Sequence, residues 1–182
     1  MKKNLILGFF AVLFVVQIAV PISMIVKRED TLKYGTTYRF ETEPIDPYDA
    51  FRGRYVSLWV RVNKVPNLTG AKFEYAEKVY ALLVVDEKGF AQVSEVTTRR
   101  PEGSHYLTAT VASGGSTIAL RLPIDRYYME EGAAPRAEKI YREHRRRDRQ
   151  DAYVVVKVKD GFAVIEGLYV GGKRIEDILS RK

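Results

Sequence analysis

The sequence predicts a mainly β protein, α+β at most: an antiparallel β-sandwich or partly open barrel of about seven to eight strands, with one basic helix inserted and a transmembrane helix at the amino end. Three observations carry this. An uncharged apolar stretch opens the chain. Runs alternating apolar and polar residues then follow one another, separated by short turn clusters. A single run with helical periodicity interrupts them.

Met1–Lys3 is a short basic head, and Asn4–Val26 contains no charged residue. At 1.5 Å per residue a helix of that length crosses a hydrocarbon core of about 30 Å. Gln17, Pro21 and Ser23 weaken its last turns. The apolar run exceeds the usual core of a secretory signal, and no clean small-x-small site follows it, so an uncleaved anchor is expected. Lys2 and Lys3 before the span balance Lys27 and Arg28 after it, so basic residues alone leave the orientation open. The division expected is an anchor with short flanks over 1–30 and a mainly β domain over 31–182. The latter is long enough for one hydrophobic core.

Thr36–Glu43 alternates and reads as the first strand. In the second, Tyr55–Val62, Val56, Leu58, Val60 and Val62 make one wholly apolar face, and Tyr55, Ser57, Trp59 and Arg61 the other. Val79–Val85 and Phe90–Thr97 form a hairpin about Asp86–Gly89. Tyr106–Ala112 and Thr117–Leu122 flank a Ser-Gly-Gly-Ser turn. Tyr153–Val158 and Phe162–Val170 flank Asp160-Gly161, and Ile175–Leu179 closes the chain as a short helix. The inserted helix is expected over Ala134–Gln150. Ala137, Ile140, Tyr141 and His144 make a narrow apolar stripe, and arginines cover the rest.

Composition narrows the function classes. Net charge is +7, much of it in that one basic segment. Arg142, Arg145, Arg146 and Arg149 there suit anionic lipid head groups, against the plainer reading of a solvated helix face. No nucleic acid is expected, because no aromatic-rich RNA-binding motif accompanies the arginines. The chain has no cysteine. Disulfides, thiolate metal sites and cysteine nucleophiles are therefore excluded. His105 and His144 lack the acidic company of a metal site, and no nucleophile elbow, phosphate loop or zinc-protease motif occurs. Catalytic, metal and cofactor assignments are accordingly none, and the balance leans away from an enzyme. Ser23-Met24 and Arg52-Gly53-Arg54 are similar to two signatures of membrane-anchored signal peptidases. However, Ile25-Val26 stands where those enzymes carry Pro-Thr, and no partner lysine motif follows.

The segment from Pro44 to Val62, PIDPYDAFRGRYVSLWVRV, is the most informative. Asp46, Pro47 and Asp49 are turn chemistry, and Gly53 stands where the chain changes direction. Gly53, Tyr55 and Leu58 match the motif from which the bacterial GDYXXLXY family takes its name; Arg54 and Val60 depart from it. The approach TEPIDPYDAFRG and the later block LRLPIDRYYMEEG, with Arg126 and Tyr127, also resemble that family. The resemblance implies a single-pass membrane protein with its amino terminus in the cytoplasm and its domain on the extracytoplasmic, periplasmic side. It also implies a multi-pass membrane protein as partner, since members are often encoded beside one. It implies no reaction. Asp46, Pro47, Asp49, Arg52, Gly53, Tyr55, Leu58, Arg126 and Tyr127 are thus the candidate binding residues. The main expectation is an interaction domain. The alternative is an envelope hydrolase or small-ligand-binding protein with a site near Asp46, Asp49 and Arg52, although Arg54 in place of the family's carboxylate argues against a metal there.

Overall fold

The structure is a computed structural model that describes residues 2–42, 55–58, 60, 64–67, 70–103, 105–130, 132–146 and 149–180; for 2–5, 55–57, 145–146 and 149–150 only the backbone path is described. Its architecture is mostly antiparallel β. A four-stranded sheet has the order β1 (Thr36–Glu41), β11 (Ala152–Lys159), β12 (Phe162–Val170), β13 (Lys173–Arg174). A five-stranded sheet has the order β3 (Lys64–Pro66), β7 (Thr117–Arg121), β6 (Tyr106–Ser113), β4 (Lys78–Val85), β5 (Ala91–Thr97). Its two outer strands, β3 and β5, come into contact, so this sheet curls nearly closed. The described residues also form two ribbons: β2 (Tyr55–Ser57) with β8 (Arg126–Tyr128), and β9 (Arg145–Arg146) with β10 (Arg149–Gln150).

The eight segments expected as strands each form one, and five short strands, β3, β8, β9, β10 and β13, raise the total among the described residues to thirteen against the seven to eight expected. Among the described residues β2 covers only Tyr55–Ser57 of the expected Tyr55–Val62; Leu58 carries its pairing on by one backbone bond, and Val60 forms a bridge with Thr42. The predicted inward set holds where it is described: Leu58 and Val60 are buried, as are Val79, Ala81 and Leu83 of β4. One hydrophobic cluster joins Phe40, Val154, Val156 and Leu168 of the first sheet to Leu107, Val111, Ile118 and Leu120 of the second. Ile124 and Tyr127 extend it, and Ala137, Tyr141 and Ile175 reach it from the helices.

The expected hairpin turn at Asp86 is held by its side chain. Oδ1 accepts from the Lys88 and Phe90 backbone N–H groups at 2.9 Å each, and Oδ2 accepts from Gln92 at 3.1 Å. These bonds hold the Asp86 carboxyl below its usual range.

Two helices depart from expectation. α1 runs over Lys2–Tyr34, past the apolar segment and through the charged residues that follow it. Its last turns are docked: Asp30 pairs with Lys159 at 2.7 Å, Lys27 lies 4.4 Å above the Phe162 ring, and Thr31 is buried. α2 covers only Ala134–His144, not the expected Ala134–Gln150. The apolar stripe is as predicted, with Ala137 and Tyr141 buried, but the helix stops at a tertiary clamp. His144 Nδ1 pairs with Asp151 Oδ1 at 2.7 Å, the Asp151 N–H donates to the His144 carbonyl at 3.1 Å, and the Gly171 N–H donates to the Asp151 carbonyl at 3.2 Å. The chain must return from His144 to Asp151 within a few residues, so the arginine run folds back as the β9–β10 ribbon despite its helix propensity.

The sheets are joined at the β11–β12 turn. Leu107 bridges to Gly161 in parallel, and the Thr108 N–H donates to the Gly161 carbonyl at 2.9 Å. Gly161 has φ of +77°, and a Cβ there would lie 2.5 Å from the Tyr106 ring and 2.6 Å from Thr108 Oγ1. Gly172 has a similar φ of +75° but open space around it. Gly172→Ala should therefore cost about 1 kcal/mol from backbone strain alone, whereas Gly161→Ala should add an overpacking cost of about 1–3 kcal/mol. Denaturant unfolding of the full chain measures both; equal losses would show that the sheets do not depend on this close approach.

Candidate functional site

The two sequence blocks that resemble one family lie some seventy residues apart and meet in the β2–β8 ribbon. The register pairs Tyr55 with Tyr128, Val56 with Tyr127 and Ser57 with Arg126. The Leu58 N–H continues the pairing to the Asp125 carbonyl at 2.8 Å. The later block thus supplies a strand at Arg126–Tyr128. Its Asp125–Arg126 pair is exposed, with Nε and Oδ2 3.7 Å apart.

Alternation along β8 separates its two tyrosines. Tyr128 is 63% exposed, while Tyr127 is buried. The Tyr127 hydroxyl donates to Glu176 Oε1 at the start of α3 (Ile175–Leu179). Arg174 holds the other carboxylate oxygen at 3.1 Å and also donates to the Glu166 carbonyl at 3.0 Å. Glu166 is the residue skipped by the bulge between the Val155–Gly167 and Val156–Ile165 pairs. A break in the sheet ladder therefore orients the arginine that orients the acid that receives the motif tyrosine. Burial first, and then the Glu176 hydrogen bond, push the Tyr127 phenol up to about 12.

Two clefts flank this ribbon, and Asp125 lines both. The first, of about 350 Å³, has Leu58, Val60, Leu120 and Ile124 in its walls with Lys64 and Arg121. The second, of about 370 Å³, lies between Arg28 of α1, Arg126–Tyr128 of β8 and Phe162–Ile165 of β12.

Of the predicted site residues, the structure brings together Tyr55, Leu58, Arg126 and Tyr127. Leu58 serves the core, and Tyr127 the internal bond to Glu176. Asp46, Pro47, Asp49, Arg52 and Gly53, with the proposed hydrolase site near three of them, lie outside the described residues. Arg174 and Glu176 carry no motif and went unremarked in the sequence, and Arg28 figured there only as a charge flanking the apolar stretch. Their roles come from contacts distant along the chain, for which the only local signal was the predicted helix at Ile175. Among the described residues no group of three or more His, Asp and Glu side chains is placed to hold a metal. Each histidine has a partner: His105 Nδ1 lies 2.6 Å from the Tyr38 hydroxyl, and His144 is held by Asp151. Ser23 donates to the Val20 carbonyl at 2.7 Å, a bond internal to its own helix.

The Tyr127 bond has a defined pH dependence. A phenol whose folded pKa is raised stabilises the fold fully below its unfolded value near 10, and this contribution is lost as pH rises towards 12. At about 1.4 kcal/mol per pKa unit, roughly 2–3 kcal/mol is at stake. Stability of the full chain should fall between about pH 10 and pH 12 more steeply than that of Tyr127→Phe. The variant should already be weaker at neutral pH by about 1.5–3 kcal/mol, having lost a hydrogen bond to a charged group. Parallel curves for the two proteins would refute the assignment.

Comparison with curated proteins and with solved structures returns no significant match. A family model described as GDYXXLXY protein matches residues 17–168, which takes in the end of α1, the β2–β8 ribbon and most of both sheets. With that match covering most of the chain and its two signature blocks paired in one ribbon, the chain belongs to the GDYXXLXY family.

Proposed function

We propose that the protein is a membrane-anchored interaction module: α1 spans a bilayer with its amino terminus in the cytoplasm, and the β domain stands on the extracytoplasmic side and binds another membrane protein. The observation that carries this is the state of α1. Its large apolar side chains from Ile6 to Val26 are 42–70% exposed, and none of the other described residues covers them. Exposed apolar surface on that scale needs a non-aqueous environment. The sheet is clamped to the last turns of the same helix, so the domain sits directly at the end of the span.

The binding face proposed is the exposed side of the β2–β8 ribbon around Tyr128 and Arg126. Aromatic residues and arginine are the residue types that dominate interface energetics. The orientation follows the family resemblance, because the flanking basic residues balance.

The absence of cysteine makes any introduced thiol unique. Glu87→Cys, at the exposed β4–β5 turn, should react with a membrane-impermeant maleimide in spheroplasts, while Lys3→Cys should be protected until the membrane is opened. The reverse pattern would overturn the orientation. A photo-crosslinking residue at Tyr128 should yield a discrete adduct with one membrane protein in native membranes, and one at Tyr75, exposed elsewhere on the domain, should not. Only uncrosslinked monomer from both positions would argue against a protein partner at the ribbon.

A further inference from the structure

We propose that the groove between Arg28, β8 and the start of β12 holds the phosphate of an anionic phospholipid from the leaflet on the domain's side. This rests on the reading of α1 as a membrane span. The groove, of about 370 Å³, has the volume of a head group and not of a whole lipid. Its charged lining is Arg28 and Arg126 against Asp125, a net +1. The two guanidinium groups come from different elements, α1 and β8, and guanidinium forks suit phosphate oxygens. Among the described residues Arg28 has no ion pair. Asp125 approaches Arg126 at 3.7 Å, with both side chains substantially exposed at the mouth of the groove.

Height supports the same occupant. Arg28 lies two residues beyond Val26, the last residue of the uncharged stretch. At 1.5 Å per residue that is roughly 3 Å past the hydrocarbon boundary, within the head-group layer. Tyr128, 63% exposed, stands on the lining beside Arg126, and tyrosine favours that layer. The lining is held in place from the helix side as well, since Lys27 caps the Phe162 ring at 4.4 Å.

The arginines first associated with lipid are placed differently. The β9–β10 ribbon leads into β11 at Ala152, opposite Val170, whereas α1 meets the other end of the hairpin at Lys159 and Phe162. Seven residue steps along β11, roughly 23 Å, separate the two ends.

The test uses the full-length protein in phosphatidylcholine nanodiscs containing a minority of phosphatidylglycerol, with lipid retained on release counted by native mass spectrometry. Wild type should keep one phosphatidylglycerol. Arg28→Gln and Arg126→Gln should each lower its retention about fivefold. Arg28→Lys should lose less, Asp125→Asn should retain more, and Arg142→Gln should match wild type. Equal retention by wild type and both glutamine variants would overturn the proposal, as would inorganic phosphate displacing the lipid as readily as added phosphatidylglycerol does. Flotation with pure phosphatidylcholine vesicles separates the two readings. Every variant should float if α1 is the anchor, and failure to float sinks the anchor whatever the lipid counts show.

Discussion

Residues 158–162 form the corner on which the molecule is assembled. Gly161 brings the β11–β12 turn against β6 closely enough for a backbone bridge, and any Cβ there would press on Tyr106 and Thr108. Lys159 reaches the opposite way to Asp30, and Phe162 lies under Lys27. Asp160, itself at φ +51°, approaches Arg100 at 4.0 Å. The long helix, the four-stranded sheet and the five-stranded sheet therefore meet at one turn. The exposed ion pairs there are worth little individually. What fixes the corner is steric: two chain segments occupy space that only glycine leaves free.

Much of the architecture was legible because it rests on local periodicity. The continuous apolar run of Val79–Val85 and the alternation of Thr36–Glu43 and Tyr55–Val62 report strands, and Asp86 and Gly161 mark the turns by their own chemistry. The five unforeseen strands are two or three residues long, too short for any period to show. The basic helix was overextended for a different reason. Arg145 to Gln150 has good helix formers, and only the His144–Asp151–Gly171 clamp, which depends on β11 and β12 being in place, turns the chain back. Nor did the polarity that begins at Lys27 reveal that α1 continues as a helix to Tyr34, because that continuation is held by contacts with a hairpin over a hundred residues later.

The site was legible as two blocks but not as one place. Nothing in LRLPIDRYYMEEG shows that it pairs with Tyr55–Ser57, since a three-residue ribbon leaves no pattern in either partner. Alternation did separate the fates of adjacent tyrosines once β8 was known to be a strand: Tyr127 turns inward to Glu176, and Tyr128 outward. The family motif is thereby partly architectural. Leu58 and Tyr127 fill and tie the core, while Arg126, Tyr128 and Asp125 are left at the surface.

Between the last helical residue, Tyr34, and the first strand residue, Thr36, stands only Gly35. Its N–H donates to the Thr31 carbonyl at 2.8 Å. A Cβ on it would collide with that same carbonyl oxygen and lie 3.1 Å from the Val158 backbone. There is no tether for the domain to swing on. On the reading of α1 as a span, a helix that tilts to match a thicker or thinner bilayer carries the sheet through the same angle. Bilayer thickness and whatever docks against the helix would then set which way the β2–β8 face points, making the molecule a lever and not a ball on a string.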